Sequence, residues 1–348
     1  ESSAASDVYK RQHLFDYEEM QLQNIPNISF GIKGLNKLLY GNFECTLTLI
    51  TGASGCGKTS VLNQICVAAP LEQNKNVFIY SGEMPAPFLL GNIFRPLASD
   101  RHIVEYDNGP DRPKGYAVSK QATELIRQCY RENLFIYDDC ADGDSSLSTE
   151  SMGLLKQMDY AYRRYNTTVY ILDNLMTLDL RGCAGDSKLE KQIDFIKQVK
   201  LFTRRYPVEV ALVAHSRKLA QGETEVGLQS VAGASEIGNL ADRCIACKIL
   251  NEDSEGYNFQ LSVVKDRQSG KAGNKVKLYY DNCSMRIFTD EQELNMRYRW
   301  ERELGNKIRY DDNLSKRIVS NIPELKFNPT PTFTSEPDIQ TESTQEPN

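Results

Sequence analysis

The eight residues Gly52-Ala53-Ser54-Gly55-Cys56-Gly57-Lys58-Thr59 constrain this chain more than any other stretch. They fit the pattern Gly-x-x-x-x-Gly-Lys-Ser/Thr of a phosphate-binding loop, which requires a strand before it and a helix after it. Leu47-Thr48-Leu49-Ile50-Thr51 is apolar and β-prone and reads as a buried strand, and residues 60–71 read as a helix. In that setting the glycines let backbone N–H groups turn inward around phosphate oxygens, and the helix N-terminus adds the positive end of its dipole. Gly52, Ala53, Ser54, Gly55, Cys56, Gly57, Lys58, Thr59 and Ser60 are therefore the candidate nucleotide cradle. Lys58 is expected to reach the β- and γ-phosphates of ATP, and the Thr59 hydroxyl to bind Mg²⁺.

Beyond the loop, apolar β-prone runs at 77–83, 134–138, 168–172 and 208–214 alternate with helical patterns at 120–132, 149–165 and 187–205. Such alternation predicts an α/β domain with a mostly parallel central sheet covered by helices on both faces. Residues 84–119, with Pro85, Pro87, Pro96, Pro110 and Pro113, read as a long irregular connection. After Ala241 the pattern changes: 243–250, 257–264 and 275–280 read as strands without helices between them, added to the sheet as antiparallel hairpins. Residues 295–317 are charged and read as a helix. The expected organisation is an N-terminal arm (1–24), a core domain (25–294), a charged helical extension (295–326) and an acidic tail (327–348). That tail has four acids, no Lys or Arg, and too little apolar surface to fold alone.

Composition narrows the class. A chain of 348 residues suits one large α/β domain with appendages. Its net charge of −6 means that any nucleic-acid site must be a local basic patch. Nine cysteines are scattered, an odd count that suits a reducing compartment. The one C-x-x-C, Cys244 to Cys247, has no second pair and lies in an expected strand, so it reads as packing rather than as a zinc or redox site. Apolar runs are too short for a membrane span. A first residue of Glu1 rather than Met is compatible with a piece of a longer protein.

Four further features bear on chemistry. Val169-Tyr170-Ile171-Leu172-Asp173 is an apolar strand ending in a carboxylate, expected to lie beside the P-loop strand with Asp173 as second Mg²⁺ anchor opposite Thr59. Glu83 ends the strand after the P-loop helix, where a carboxylate can polarise the attacking water. His215 ends the run Val210-Ala211-Leu212-Val213-Ala214, where a polar group can sense the γ-phosphate, and is followed by Ser216-Arg217-Lys218. Lys265 and Arg267 close a strand before a turn bounded by Gly270 and Gly273, and are expected to project out of the domain towards a neighbour's nucleotide.

The ordered set Ser29-Phe30-Gly31, Leu35-Asn36, the P-loop, Ser81-Gly82-Glu83-Met84, Leu172-Asp173-Asn174-Leu175, Ala214-His215, Leu228-Gln229-Ser230, Gly233, Ala241-Asp242 and Lys265-x-Arg267-x-x-Gly270-x-x-Gly273 resembles the RecA-like helicase domain of hexameric DnaB-type replicative helicases. Within that family it is most similar to the mitochondrial Twinkle and phage primase–helicase branch, over about residues 25–290. The resemblance implies a ring, usually hexameric, with ATP or another NTP or dNTP at subunit interfaces and single-stranded DNA in the central channel, moved 5′ to 3′. By position it implies Lys58 and Thr59 on phosphate and Mg²⁺, Asp173 as second metal anchor, Glu83 as base and His215 as sensor. Arg267 becomes a finger acting in trans, with Lys265 beside it. Residues 217–239 resemble a DNA-holding loop, with Arg217, Lys218, Gly233, Ala234 and Ser235 as contacts, and 182–187 sit where a second channel loop occurs. The acidic tail is expected to tether a primase or DNA polymerase, in a phage-infected cytoplasm or a mitochondrial nucleoid.

Two departures stand out. Relatives carry a basic residue in the second half of the main loop, where this chain has Glu236, so DNA contact falls more on backbone N–H groups and on Arg217 and Lys218. No primase or zinc-ribbon region precedes residue 25 in this sequence, so it was removed or the protein does not prime. Two other functions share the core features: a RecA- or RadA-like recombination ATPase, and a non-unwinding, nucleotide-gated replication scaffold.

Overall fold

A computed structural model describes residues 26–137, 151–178, 180–215, 235–251, 256–308 and the pair 333–334. In chain order the strands are β1 (Asn27–Ile28), β2 (Asn42–Phe43), β3 (Thr46–Gly52), β4 (Val77–Ser81), β5 (Ile103–Tyr106), β6 (Gly115–Val118), β7 (Leu134–Tyr137), β8 (Val169–Asp173), β9 (Glu209–Val213), β10 (Arg243–Ile249), β11 (Phe259–Asp266), β12 (Lys275–Tyr280), β13 (Ile287–Phe288) and β14 (Phe333–Thr334). The helices are α1 (Lys33–Leu38), α2 (Lys58–Leu62), α3 (Ala69–Glu72), α4 (Ala86–Leu97), α5 (Lys120–Tyr130), α6 (Ser151–Tyr165), α7 (Lys188–Arg205), α8 (Ser235–Leu240), α9 (Glu291–Leu294) and α10 (Arg299–Leu304).

The main sheet runs β13-β12-β11-β10-β3-β9-β8-β4-β7, with β14 paired to β12. The six strands from β10 to β7 are mutually parallel, and β11, β12 and β13 are added antiparallel at one side. This is the sheet that alternation followed by helix-free hairpins predicted. Every residue of β3 is buried, as a strand covered on both faces requires. Its side chains alternate between two cores: Ile50 packs with Val61, Ile65 and Ile93, and Leu49 with Phe195, Ile196 and Leu212.

α2, a π-helical segment (Asn63–Ala68) and α3 form one helical run from Lys58 to Glu72. In a regular helix the Pro70 ring would meet the carbonyl four residues back, at Cys66; the helix widens just before it. The wide turn carries the buried Gln64, whose amide pairs with the edge strand β13: Nε2 donates to the Ile287 carbonyl at 2.5 Å and Oε1 accepts the Ile287 N–H at 2.7 Å.

Three expectations need correction. First, the Asp173 strand does not lie beside the P-loop strand: β9 stands between β3 and β8. An apolar strand ending in acid carries no pairing information, so sequence cannot order it. Second, the connection 84–119 is not irregular. It holds α4 and the antiparallel hairpin β5–β6. Pro85 and Pro87 sit at the start of α4, where a helix needs no N–H donor, and Pro96 falls in its last turn, so the prolines bound the helix instead of abolishing it. Leu89, Ile93, Phe94 and Leu97 bury its inner face. Third, the charged stretch from 295 is not one helix. Residues 295–298 break it, and α10 then packs inward: Trp300 is fully buried and donates its indole N–H to the Leu97 carbonyl at 2.8 Å. Beside it the Glu301 carboxylate takes hydrogen bonds from Ser99 and Arg101.

Candidate nucleotide site

Ligands of open α/β sheets bind at the carboxyl ends of the parallel strands. Here the neighbouring strands β3, β9, β8 and β4 end at Gly52, just before His215, at Asp173 and just before Glu83. Ser81 pairs with Asp173 in register, and the Gly82 N–H donates to the Asp173 carbonyl at 2.8 Å. Four sequence-predicted groups separated by up to 163 positions thus share one edge of the sheet.

The loop after β3 has the backbone its glycines predict. Gly52 has φ 147, and a Cβ there would stand 2.5 Å from Cys56 Sγ and 2.6 Å from the Cys247 carbonyl oxygen. Gly57 has φ 89 and rests on the Phe259 ring, which a Cβ would meet at 2.9 Å. Lys58 is buried and donates to the carbonyls of Gly52 (3.2 Å) and Ala53 (2.7 Å), so its ammonium is held against the loop. Ala53, Ser54 and Gly55 are exposed at the tip. Ser60 faces away: it is buried with its hydroxyl 3.4 Å from that of Tyr280.

Cys56 sits in the loop beside Cys247 of β10. The hydrogen bond between the two thiols, with the Lys58 charge acting against burial, brings Cys56 down to about 7. Cys244 and Cys247 are both buried, but in different cores on the two faces of β10, because residues three apart on a strand point opposite ways. That arrangement is packing, as their sequence context suggested.

Thr59 and Asp173 are brought together: the Thr59 hydroxyl donates to the Asp173 carboxylate. Burial, then the nearby Glu83 charge, raises Asp173 to about 6, against the opposing pull of His215 and Lys58. A hydroxyl and a carboxylate side by side are hard oxygen donors suited to Mg²⁺. With a cradle where side chains at Gly52 and Gly57 would collide, the residues present fit a magnesium nucleotide.

Glu83 and His215 also meet, with Glu83 Oε1 lying 3.3 Å from His215 Nε2. Between them stands Asn174, which sequence reasoning passed over although it directly follows Asp173. Only its position after a strand-end acid could have flagged it.

Lys265 and Arg267 are elsewhere. β11 runs antiparallel to β10, and its last residue, Asp266, pairs with Arg243, which pairs with Thr48 near the start of β3. Arg267 therefore lies at the amino end of β3, while the loop is at the carboxyl end. Four residues of strand separate them, about 13 Å at roughly 3.3 Å per residue. Both cations turn onto the end of α8 rather than standing free of the domain: Lys265 donates to the carbonyls of Gly238 (2.9 Å) and Asn239 (2.8 Å), and Arg267 to that of Asn239 (2.7 Å). Favourable charge at a helix C-terminus accounts for this. Arg267 remains 53% exposed.

Arg217, Lys218, Gly233 and Ala234 lie outside the described residues, as do the N-terminal arm and nearly all of the tail; Ser235 opens α8. Glu236, the acid noted in the main loop, lies 3.6 Å from the Lys197 ammonium. Residues 182–187 lead into α7, with Gly182 and Gly185 at positive φ and Ser187 forming a capping box with Glu190.

No protein-family model matches this chain, and no curated protein matches its sequence. Solved structures do match in fold. One solved ATPase domain of a DnaB-like replicative helicase superposes with a TM-score of 0.61 at 15% identity, covering 83% of this chain and 98% of that one. A second DnaB-like replicative helicase, from a study of its interactions with primase, gives 0.61 at 15% identity, covering 82% and 68%. A KaiC-like protein, PH0186 of Pyrococcus horikoshii OT3, gives 0.51 at 15% identity, covering 76% and 99%. The fold is thus RecA-like, of the kind seen in ATPase domains of DnaB-like helicases.

Proposed function

We propose that this chain is an ATP-driven helicase motor that assembles as a ring and moves along single-stranded DNA 5′ to 3′. The observation that carries this reading is the division of the catalytic set across the sheet. Lys58, Thr59, Asp173, Glu83 and His215 gather at the carboxyl edge, while Arg267 lies exposed at the opposite edge. A ring that sets one subunit's amino edge against the next subunit's carboxyl edge brings the two halves together, and each subunit then completes its neighbour's site.

Within that site the loop N–H groups and Lys58 neutralise phosphate charge. Thr59 and Asp173 hold Mg²⁺, which supplies further charge neutralisation when bound. Glu83 takes a proton from the attacking water, His215 contacts the γ-phosphate, and the neighbour's Arg267 stabilises charge building in the transition state. Such fingers contribute about 10³–10⁵ in rate. Arg217 and Lys218 hold the DNA backbone, and the tail tethers a primase or polymerase.

Mixing tests the division. Lys58→Ala and Arg267→Ala should each be inactive alone, and mixed rings should regain partial ATPase that rises and falls with mixing ratio. Mass photometry of tagged subunits confirms that rings exchange. An Arg267→Ala protein that hydrolyses ATP normally would overturn the finger assignment. Electron micrographs showing filaments on DNA in place of closed rings would favour the recombination ATPase.

A further inference from the structure

A general base must be aimed as well as present. Glu83 lies in the loop beyond β4 with its side chain 43% exposed, so packing does not aim it. Asn174 is fully buried and held by its own neighbours. Its Oδ1 accepts the Met176 N–H at 2.7 Å, and its backbone carbonyl accepts the Thr177 hydroxyl at 2.9 Å. The first bond settles which end of the amide is which. Nδ2 must then face the site, where it donates to Glu83 Oε1 and lies 3.0 Å from His215 Nε2. An amide carries two hydrogens, one for each partner, so His215 Nε2 accepts and the imidazole proton sits on Nδ1. Among the described residues, Glu83 Oε2 has no hydrogen-bond partner.

The geometry points to Asn174 as the positioning residue of the base: it ties down Oε1 of Glu83, aligns it with His215 and leaves Oε2 to receive the proton of the attacking water. This rests on the reading of Glu83 as the base. The role is that of the third group that orients a base in hydrolytic sites, here filled by a neutral amide. A neutral donor suits a place beside Asp173, where another carboxylate would add repulsion at a metal-binding group.

The test uses the full chain with Mg²⁺, ATP and single-stranded DNA, and two substitutions. Asn174→Asp keeps the shape and the acceptor for Met176 but loses the donor; Asn174→Ala loses both. Each is made alone and in a Glu83→Gln background, with thermal unfolding as a check on folding. Expected is a fall in kcat of about 10²-fold, the scale of a misplaced catalytic group. KM for ATP, and the Kd of a fluorescent ATP analogue measured without turnover, should stay within about twofold. In the Glu83→Gln background neither substitution should slow hydrolysis further, since there is no base left to aim. Wild-type kcat in both variants, a loss confined to KM and nucleotide affinity, or an equal further loss on top of Glu83→Gln overturns the assignment. A wild-type rate in Glu83→Gln alone removes the base itself, and is distinguished by needing no change at Asn174.

Discussion

Glu209 shows what one buried carboxyl costs. It opens β9, fully buried, with Oε1 accepting the Thr48 hydroxyl at 3.1 Å and Oε2 without a partner among the described atoms. Burial raises it to about 8 against the opposing pull of Arg243 and Thr48. The folded state therefore binds this proton more tightly than the unfolded chain does. The sign follows: its stabilising contribution is full below the unfolded value near 4.5 and is lost as pH rises towards about 8. Denaturant melts of wild type should lose stability across that window, by no more than about 5 kcal/mol. Glu209→Gln, which has no proton to lose, should melt with a flatter pH profile. Identical profiles for both proteins would show that the carboxyl is charged in the fold and its burial tolerated in another way.

At the scale of elements, the P-loop helix is held at both ends. Its N-terminus carries the loop; its middle carries Gln64, which mimics a strand by pairing with both polar groups of Ile287. That pairing clamps the edge strand β13 to the helix below it. Gln64→Leu has similar volume but leaves a buried N–H and C=O unpaired, so chemical denaturation should show a loss of about 2–4 kcal/mol. Hydrogen exchange at Ile287 should accelerate beyond the global change. A variant as stable as wild type would mean that water replaces the amide. Arg267 is the contrasting case. It is exposed and bonded only to a helix-end carbonyl and, at 3.6 Å, to Asp242. Arg267→Ala should change stability by no more than about 0.5 kcal/mol while abolishing turnover, because an exposed pair contributes little to folding.

For the whole molecule, net charge is −6, so attraction to DNA must be concentrated rather than general. Arg217 and Lys218 are the cations that follow His215 directly in the chain. Replacing both with Ala should weaken single-strand binding and lower its salt slope by about one unit or slightly more, at roughly 0.7 per phosphate contact. DNA-stimulated ATPase should fall with it while basal ATPase persists. Unchanged affinity and slope would place the DNA path elsewhere on the ring. The mixing experiment addresses the same scale from the nucleotide side, since it asks whether one chain contains a whole site.

Short-range chemistry was readable from the chain alone. The P-loop is a local device, eight consecutive residues whose glycines dictate the backbone, and its Lys58 and Thr59 follow from spacing. The parallel sheet followed from apolar runs alternating with helices, and the α7 cap from Ser187 and Glu190 three apart. Side-chain identity also marked Asp173, Glu83 and His215 as strand-end groups. What the chain could not disclose is which strand lies next to which. Pairing depends on backbone hydrogen bonds common to every residue, so the insertion of β9 between β3 and β8 left no local mark. The same holds for α4, hidden by prolines whose meaning depends on where a helix begins, and for Trp300, whose burial was decided by a pocket against Leu97 made elsewhere in the chain. Asn174 became visible only when β4, β8 and β9 met, and the distance between Arg267 and the loop only when β11 turned back on β10. Each is a relation between residues far apart in sequence, set by the packing of the whole sheet.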